Sequence, residues 1–216
     1  MPLEFSLRLP FLSGKRSDDI AQLGDDRQII VEQYHGRHYL AARKGRMFVA
    51  TSATGGIALI VAATTGGHPT LWNPHGSGRI LSVKKLVLAY GSGTNAPGSL
   101  AWNIVERAGA NEATGATIPT ATRVAVVSAM AGGPVDSKAI WSPTTNTFTA
   151  APGYYRPTNL SLFTGAAATA VPPFTLHEDY DGDLLIAPGT ALCLVAQQTT
   201  TTSLFRITVL FEEVDE

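Results

Sequence analysis

The sequence predicts an all-β fold, an antiparallel sandwich or barrel, behind an extended N-terminal arm. Three observations carry this expectation. Short β-branched or alternating runs recur from Met47 onward, Gly, Pro and Asn divide them, and helical periodicity over more than ten residues is hard to find after position 50. The runs are MFVATS, GIALIVAAT, PTLWN, ILSVKKLVLAY, LAWNIVE, TRVAVVSAM, a stretch around Lys138 to Thr149, LSLFTG, DLLIA, ALCLVAQ and SLFRITVLFEEV. That spacing suits a sandwich or barrel.

Residues 1–45 differ from the rest. Leu3, Phe5, Leu7 and Leu9 alternate with polar residues and Phe11 follows, the pattern of a strand or extended arm. Charge is then dense, with Lys15, Arg16, Asp18, Asp19, Asp25, Asp26, Arg27 and Glu32 before Arg37 and Arg43. IIVEQYHGRHYLAARKGR has the composition of a short helix, interrupted at Gly36 at a cost of about 1 kcal/mol relative to Ala. The domain division is therefore an arm and charged segment over 1–45 and a β-domain over 46–216. Within that domain LAWNIVERAGANEA is the one stretch that also suits a helix. The last run is the clearest strand: Phe205, Ile207, Val209 and Phe211 share one face, and Arg206, Thr208, Leu210 and Glu212 the other.

Composition limits the function classes. The net charge is −1, so no basic field draws nucleic acid or an anionic membrane, and neither is expected as a partner. Charged residues make up 15% of the chain, below the roughly 25% of an average domain, and burial against neighbouring subunits would account for the deficit. The single cysteine, Cys193, excludes an internal disulfide and a thiolate metal cluster. No apolar run is long enough to span a membrane, and MPLEFSLRLPFLSGKR lacks a signal-peptide pattern, so synthesis in a cytoplasm without processing is expected.

Each motif that could carry chemistry has a plainer reading. In LWNPHGSGR, Gly76-Ser77-Gly78 lacks the Gly-x-Ser-x-Gly spacing of a nucleophile elbow and precedes a strand, so the segment reads as a turn. Gly91-Ser-Gly93-Thr-Asn-Ala96 matches a relaxed dinucleotide fingerprint, but Pro97-Gly98 prolong the loop where a helix should open, and a hairpin loop is expected. His35 and His38 have zinc-ligand spacing without a third ligand. Asp179, Asp181 and Asp183 alternate like calcium ligands, yet Gly182 stands fourth and Thr190 twelfth, which is not the EF-hand order; an acidic turn before DLLIA is expected, with a looser calcium site as the alternative. Trp72, Trp102, Trp141, Tyr154 and Tyr155 could stack on a sugar, although core and interface packing is their usual use. Cys193 sits in an alternating run and reads as a core residue. No cofactor or metal is expected, and no catalytic constellation can be assembled.

The block LWNPHGSGRILSVKKLVLAYGSG, the later DGDLLIAPGTALCLVAQQTTTTSLFRITVLFEEVDE, and the Cys-poor, Thr/Ala/Gly-rich composition together resemble virion structural proteins of tailed bacteriophages, over residues 45–216. The resemblance implies a jelly-roll-like β-sandwich, commonly a homotrimer, fixed to the outside of a capsid as a non-enzymatic decoration or cement protein. Its partners would be the major capsid protein and copies of itself, and its location the virion surface. Cement proteins act by area buried at several contacts and by multivalency. The expected interface is the arm, through Leu3, Phe5, Leu7, Leu9 and Phe11, with loops around Trp141 and Tyr154-Tyr155 that face either the threefold axis or the solvent. Two other classes stay open. A receptor- or carbohydrate-binding jelly roll of a fibre would use an exposed Trp141 or Tyr155, and a β-sandwich enzyme would need converging groups such as His177, Glu178 and Asp179.

Overall fold

The computed structural model describes residues 36–52, 55–61, 63–93, 98–105, 123–134, 136–144, 146–148, 150–162, 174–180, 182–197 and 203–216. They form an antiparallel β-sandwich, and the compact unit that contains it runs from Leu40 to Glu216. The arm residues Leu3 to Phe11 lie outside the described residues, as does His35.

A single helical turn, α1 (Tyr39–Arg43), precedes the first strand. It ends in a Schellman motif: Arg46 N–H donates to Ala41 O and Gly45 N–H to Ala42 O, with Gly45 at φ 70°. A Cβ at Gly45 would meet Pro134 at 2.9 Å, so glycine is required there twice over. Twelve strands follow among the described residues: β1 (Met47–Thr51), β2 (Ile57–Ala58), β3 (Thr70–Trp72), β4 (Arg79–Ser92), β5 (Gly98–Val105), β6 (Val127–Ser128), β7 (Ile140–Ser142), β8 (Gly153–Leu162), β9 (Thr175–Asp179), β10 (Leu185–Ile186), β11 (Ala191–Ala196) and β12 (Leu204–Asp215).

One sheet has the order β10-β4-β12-β1-β6, with β9 also on β4 and β2 also on β12; the other has the order β7-β3-β11-β5-β8. β9 and β10 lie end to end along one side of β4, pairing with 85–89 and then 81–82. β1 and β2 share one side of β12 in the same way. Each pair is thus one interrupted strand, and β6 and β7 are additions between β5 and β8. The remaining eight strands, numbered along the chain, fall into sheets ordered 6-3-8-1 and 2-7-4-5. This is jelly-roll topology, as expected.

Alternation explains the faces. Phe205, Ile207, Val209 and Phe211 of β12 are fully buried between the sheets, with Leu81, Val83, Leu86 and Leu88 of β4. In β4 the inward positions shift parity across Lys84-Lys85, and the β12 register slips at the same place, Leu210 pairing with Lys85 and Phe211 with Val83. The two lysines mark a β-bulge. Lys84 pairs with Glu212 and Lys85 with Asp179, each at 3.3 Å. From the other sheet Leu100, Trp102, Trp141, Leu192 and Leu194 complete the core. Burying each of these large side chains contributes roughly 1.5–3 kcal/mol.

LAWNIVE is strand β5, as its place among the expected strands predicts, and the helical alternative fails for 98–105. Two expectations change. The Gly91–Ala96 loop does not close a hairpin, because β4 and β5 belong to different sheets and the chain crosses between them. Residues 175–179 form β9, where no strand was expected.

Candidate functional site

The turn after β3 is built around Asn73, which is fully buried. Its Nδ2 donates to Arg79 O (2.7 Å) and Ile186 O (2.9 Å), and its Oδ1 accepts from Ser77 Oγ at 2.7 Å. Gly76 and Gly78 take φ 75° and 64°. Ser77 is thereby held as a turn residue, while His75 is exposed on the loop. This segment joins the β3–β4 turn to β10.

The expected interface residues part company. Trp141 is expected in a loop facing a threefold axis or solvent; it lies instead on β7, 1% exposed, with Nε1 donating to Thr51 O at 3.0 Å. Its indole is a core side chain shared between the sheets and offers no exposed face on which a sugar could stack. Tyr154 and Tyr155 are exposed, at 60% and 45%, but on a strand: β8 forms one edge of its sheet. Two register slips against β5, and Pro157 inside β8, break the regularity of that edge.

Beside this edge, β8 meets β9 of the opposite sheet across a buried polar seam. Trp102 Nε1 donates to Tyr180 Oη (2.7 Å), and Tyr180 donates in turn to Glu178 Oε2 (2.8 Å). Glu178, 6% exposed, also accepts from the Asn159 amide (3.1 Å) and from Asn159 Nδ2 (3.2 Å). Arg156 lies over the Tyr180 ring, 5.5 Å from its centroid, and pairs with Asp183 at 2.8 Å. Burial pushes the Tyr180 phenol well above its ordinary range, and its hydrogen bond to Glu178 adds to the effect. The Asp183 hydrogen bond holds Arg156 higher still above the physiological range. The tyrosine keeps its proton at neutral pH, and its donor and acceptor are both engaged, so the seam ties the two sheet edges together.

The trio proposed for an enzyme does not converge. Neighbouring side chains of a strand point to opposite faces. Glu178 turns into the seam, whereas His177 and Asp179 are exposed, Asp179 on Lys85. The acidic residues of the 179–183 segment separate likewise, Asp183 going to Arg156, while Asp181 lies outside the described residues. Among the described residues no three His, Cys, Asp or Glu side chains are grouped as metal ligands.

Two features were not apparent from the sequence. The connection from β7 to β8 (143–152) folds over the outer face of its sheet, where Phe148 packs with Ala101, Cys193 and Val195. On the opposite side from β8, residues 124–126 cross from β7, where Val124 bridges Trp141, to β6, where Val127 pairs with Val49. They leave an apolar depression of about 360 Å³. Short runs such as RVAVV give no sign of a crossing between sheets.

Comparison with protein-family models, with curated proteins and with solved structures gives no match to this chain.

Proposed function

We propose that the chain is a non-enzymatic virion structural protein, a capsid decoration or cement protein that assembles with copies of itself and bridges capsid subunits. The observation that carries this reading is a jelly roll whose interior is filled by Trp102, Trp141, Phe205, Phe211 and leucines, so that its work falls to faces and edges. Low charge supports the same reading, since shared surfaces need little. So does an edge strand that presents two tyrosines, residues favoured at interfaces.

Light scattering over a dilution series tests self-assembly: a stable trimer is expected, and a monomer at every concentration would overturn it. Deleting residues 1–15 should reduce binding to empty heads of the encoding virus, and unchanged occupancy would remove the arm from the mechanism. The exposure of Tyr154 and Tyr155 also favours a second reading, a carbohydrate-binding jelly roll. Glycan-array binding that is lost in Tyr155→Ala would select it.

A further inference from the structure

We propose that the depression between residues 124–126 and β7 receives the N-terminal segment of a second copy, with Leu3, Phe5, Leu7 and Leu9 as the side chains it holds. The inference rests on the reading of the chain as a self-assembling protein and names the surface through which copies join.

The depression is lined by Val124, Ala125, Val126, Ala139, Ile140 and Trp141, with polar groups only from Arg123 and Ser137. At about 360 Å³ it is large enough for several side chains, and so apolar a lining gives water few partners. Apolar surface continues past it to Val127 and Met130, 43% and 42% exposed. This side of the sandwich is irregular: Val124 makes one bridge to β7, and β6 is two residues long. An extended segment bound here would combine an edge with a pocket, the arrangement in which alternate side chains of an added strand are read.

The chain itself carries a segment of that kind. Residues 3–9 place Leu, Phe, Leu and Leu at every second position. The sandwich also begins beside this surface, because β1 pairs with β6, Ala129 N–H donates to Met47 O at 2.9 Å, and Pro134 lies against Gly45. Residues 12–35, between the apolar segment and the turn at Gly36, can span up to roughly 80–85 Å, enough to reach a neighbour. Their density of both signs of charge suits a solvated connection. A contact of one copy's arm with the next copy's depression is heterologous, and repeated around an axis it closes into a ring.

The test uses the full-length chain with benzoylphenylalanine in place of exposed Ala125, and separately in place of Val127, as light- and heavy-nitrogen copies mixed before irradiation. Mass spectrometry of the digest should find cross-links to peptides containing Leu3–Leu9 that join one light and one heavy chain. Phe5→Ser with Leu7→Ser should abolish them at both probe positions. Cross-links within single chains only, to other segments, or none at all would overturn the inference. Light scattering of the same samples separates the two levels: a trimer without these cross-links leaves the assembly reading standing and removes this docking site, whereas a monomer removes both.

Discussion

Asn73 gives both amide hydrogens to backbone carbonyls, Arg79 O at the start of β4, which Ser77 Oγ also approaches at 3.3 Å, and Ile186 O in β10. A buried carbonyl left unpaired costs about 1–3 kcal/mol. Asn73→Ala is therefore expected to lower unfolding free energy by about 2 kcal/mol. Asn73→Asp keeps the shape but turns acceptors towards acceptors and buries an uncompensated charge, so a larger loss is expected, about 3–5 kcal/mol. Urea unfolding of the two variants checks this. An aspartate variant as stable as the wild type would show that the amide does not hold the turn. Asn-Pro and two glycines make the turn legible in sequence, but nothing in NPHGSG indicates that its asparagine reaches a strand more than a hundred residues away.

At the scale of elements, the 143–152 cover is fastened by polar side chains. Asn146 accepts from the His68 amide (3.2 Å) and donates to Thr70 Oγ1 (2.9 Å), Phe148 N–H donates to Thr65 O, and Asn103 Nδ2 donates to Pro152 O (2.8 Å). Gly66 is a necessary glycine, because a Cβ there would run into Asn146 O. His68, fully buried, stacks on Phe148 and donates through Nε2 to Thr64 O at 2.8 Å, while Nδ1 has no hydrogen-bond partner among the described residues. Burial pushes its pKa below the ordinary 6.5, so the fold prefers neutral imidazole. Below pH 6.5 the unfolded chain gains a proton that the folded chain refuses, and stability falls as pH drops towards the lowered native value; above 6.5 the term is constant. The stability of the wild type should therefore decline from pH 6.5 to 5.5 relative to His68→Gln, and parallel curves would exclude His68 as the cause. The Cys193 thiol, under the same cover and pushed up to about 12, should label faster on the acid side once rates are normalised to the unfolded chain. Elements with clean alternation, such as β12, are legible in sequence. β9 is hidden because Glu178 takes a buried position in TLHED, and its partners Tyr180 and Asn159 are known only once the sheets are stacked.

On the scale of the whole molecule, sandwich class is readable from strand spacing, whereas the candidate surfaces depend on stacking. Trp141 could not be assigned from its neighbours in sequence, since its burial comes from Thr51 and the opposite sheet. The same stacking makes the two sheets a single cooperative unit. They share one core, with Trp102 against Tyr180, and Trp141 in the cluster that holds Phe205 and Phe211. The three tryptophans offer a direct test, because Trp72, Trp102 and Trp141 lie on β3, β5 and β7, all in the same sheet. Tryptophan fluorescence thus follows that sheet, whereas far-ultraviolet circular dichroism follows both. If neither sheet survives without the other, guanidinium unfolding curves from the two probes will superimpose, with one midpoint and one slope. A fluorescence transition clearly ahead of the dichroism would mean that the β10-β4-β12-β1-β6 sheet persists after its partner is lost, and the shared core would then not be what holds the fold together.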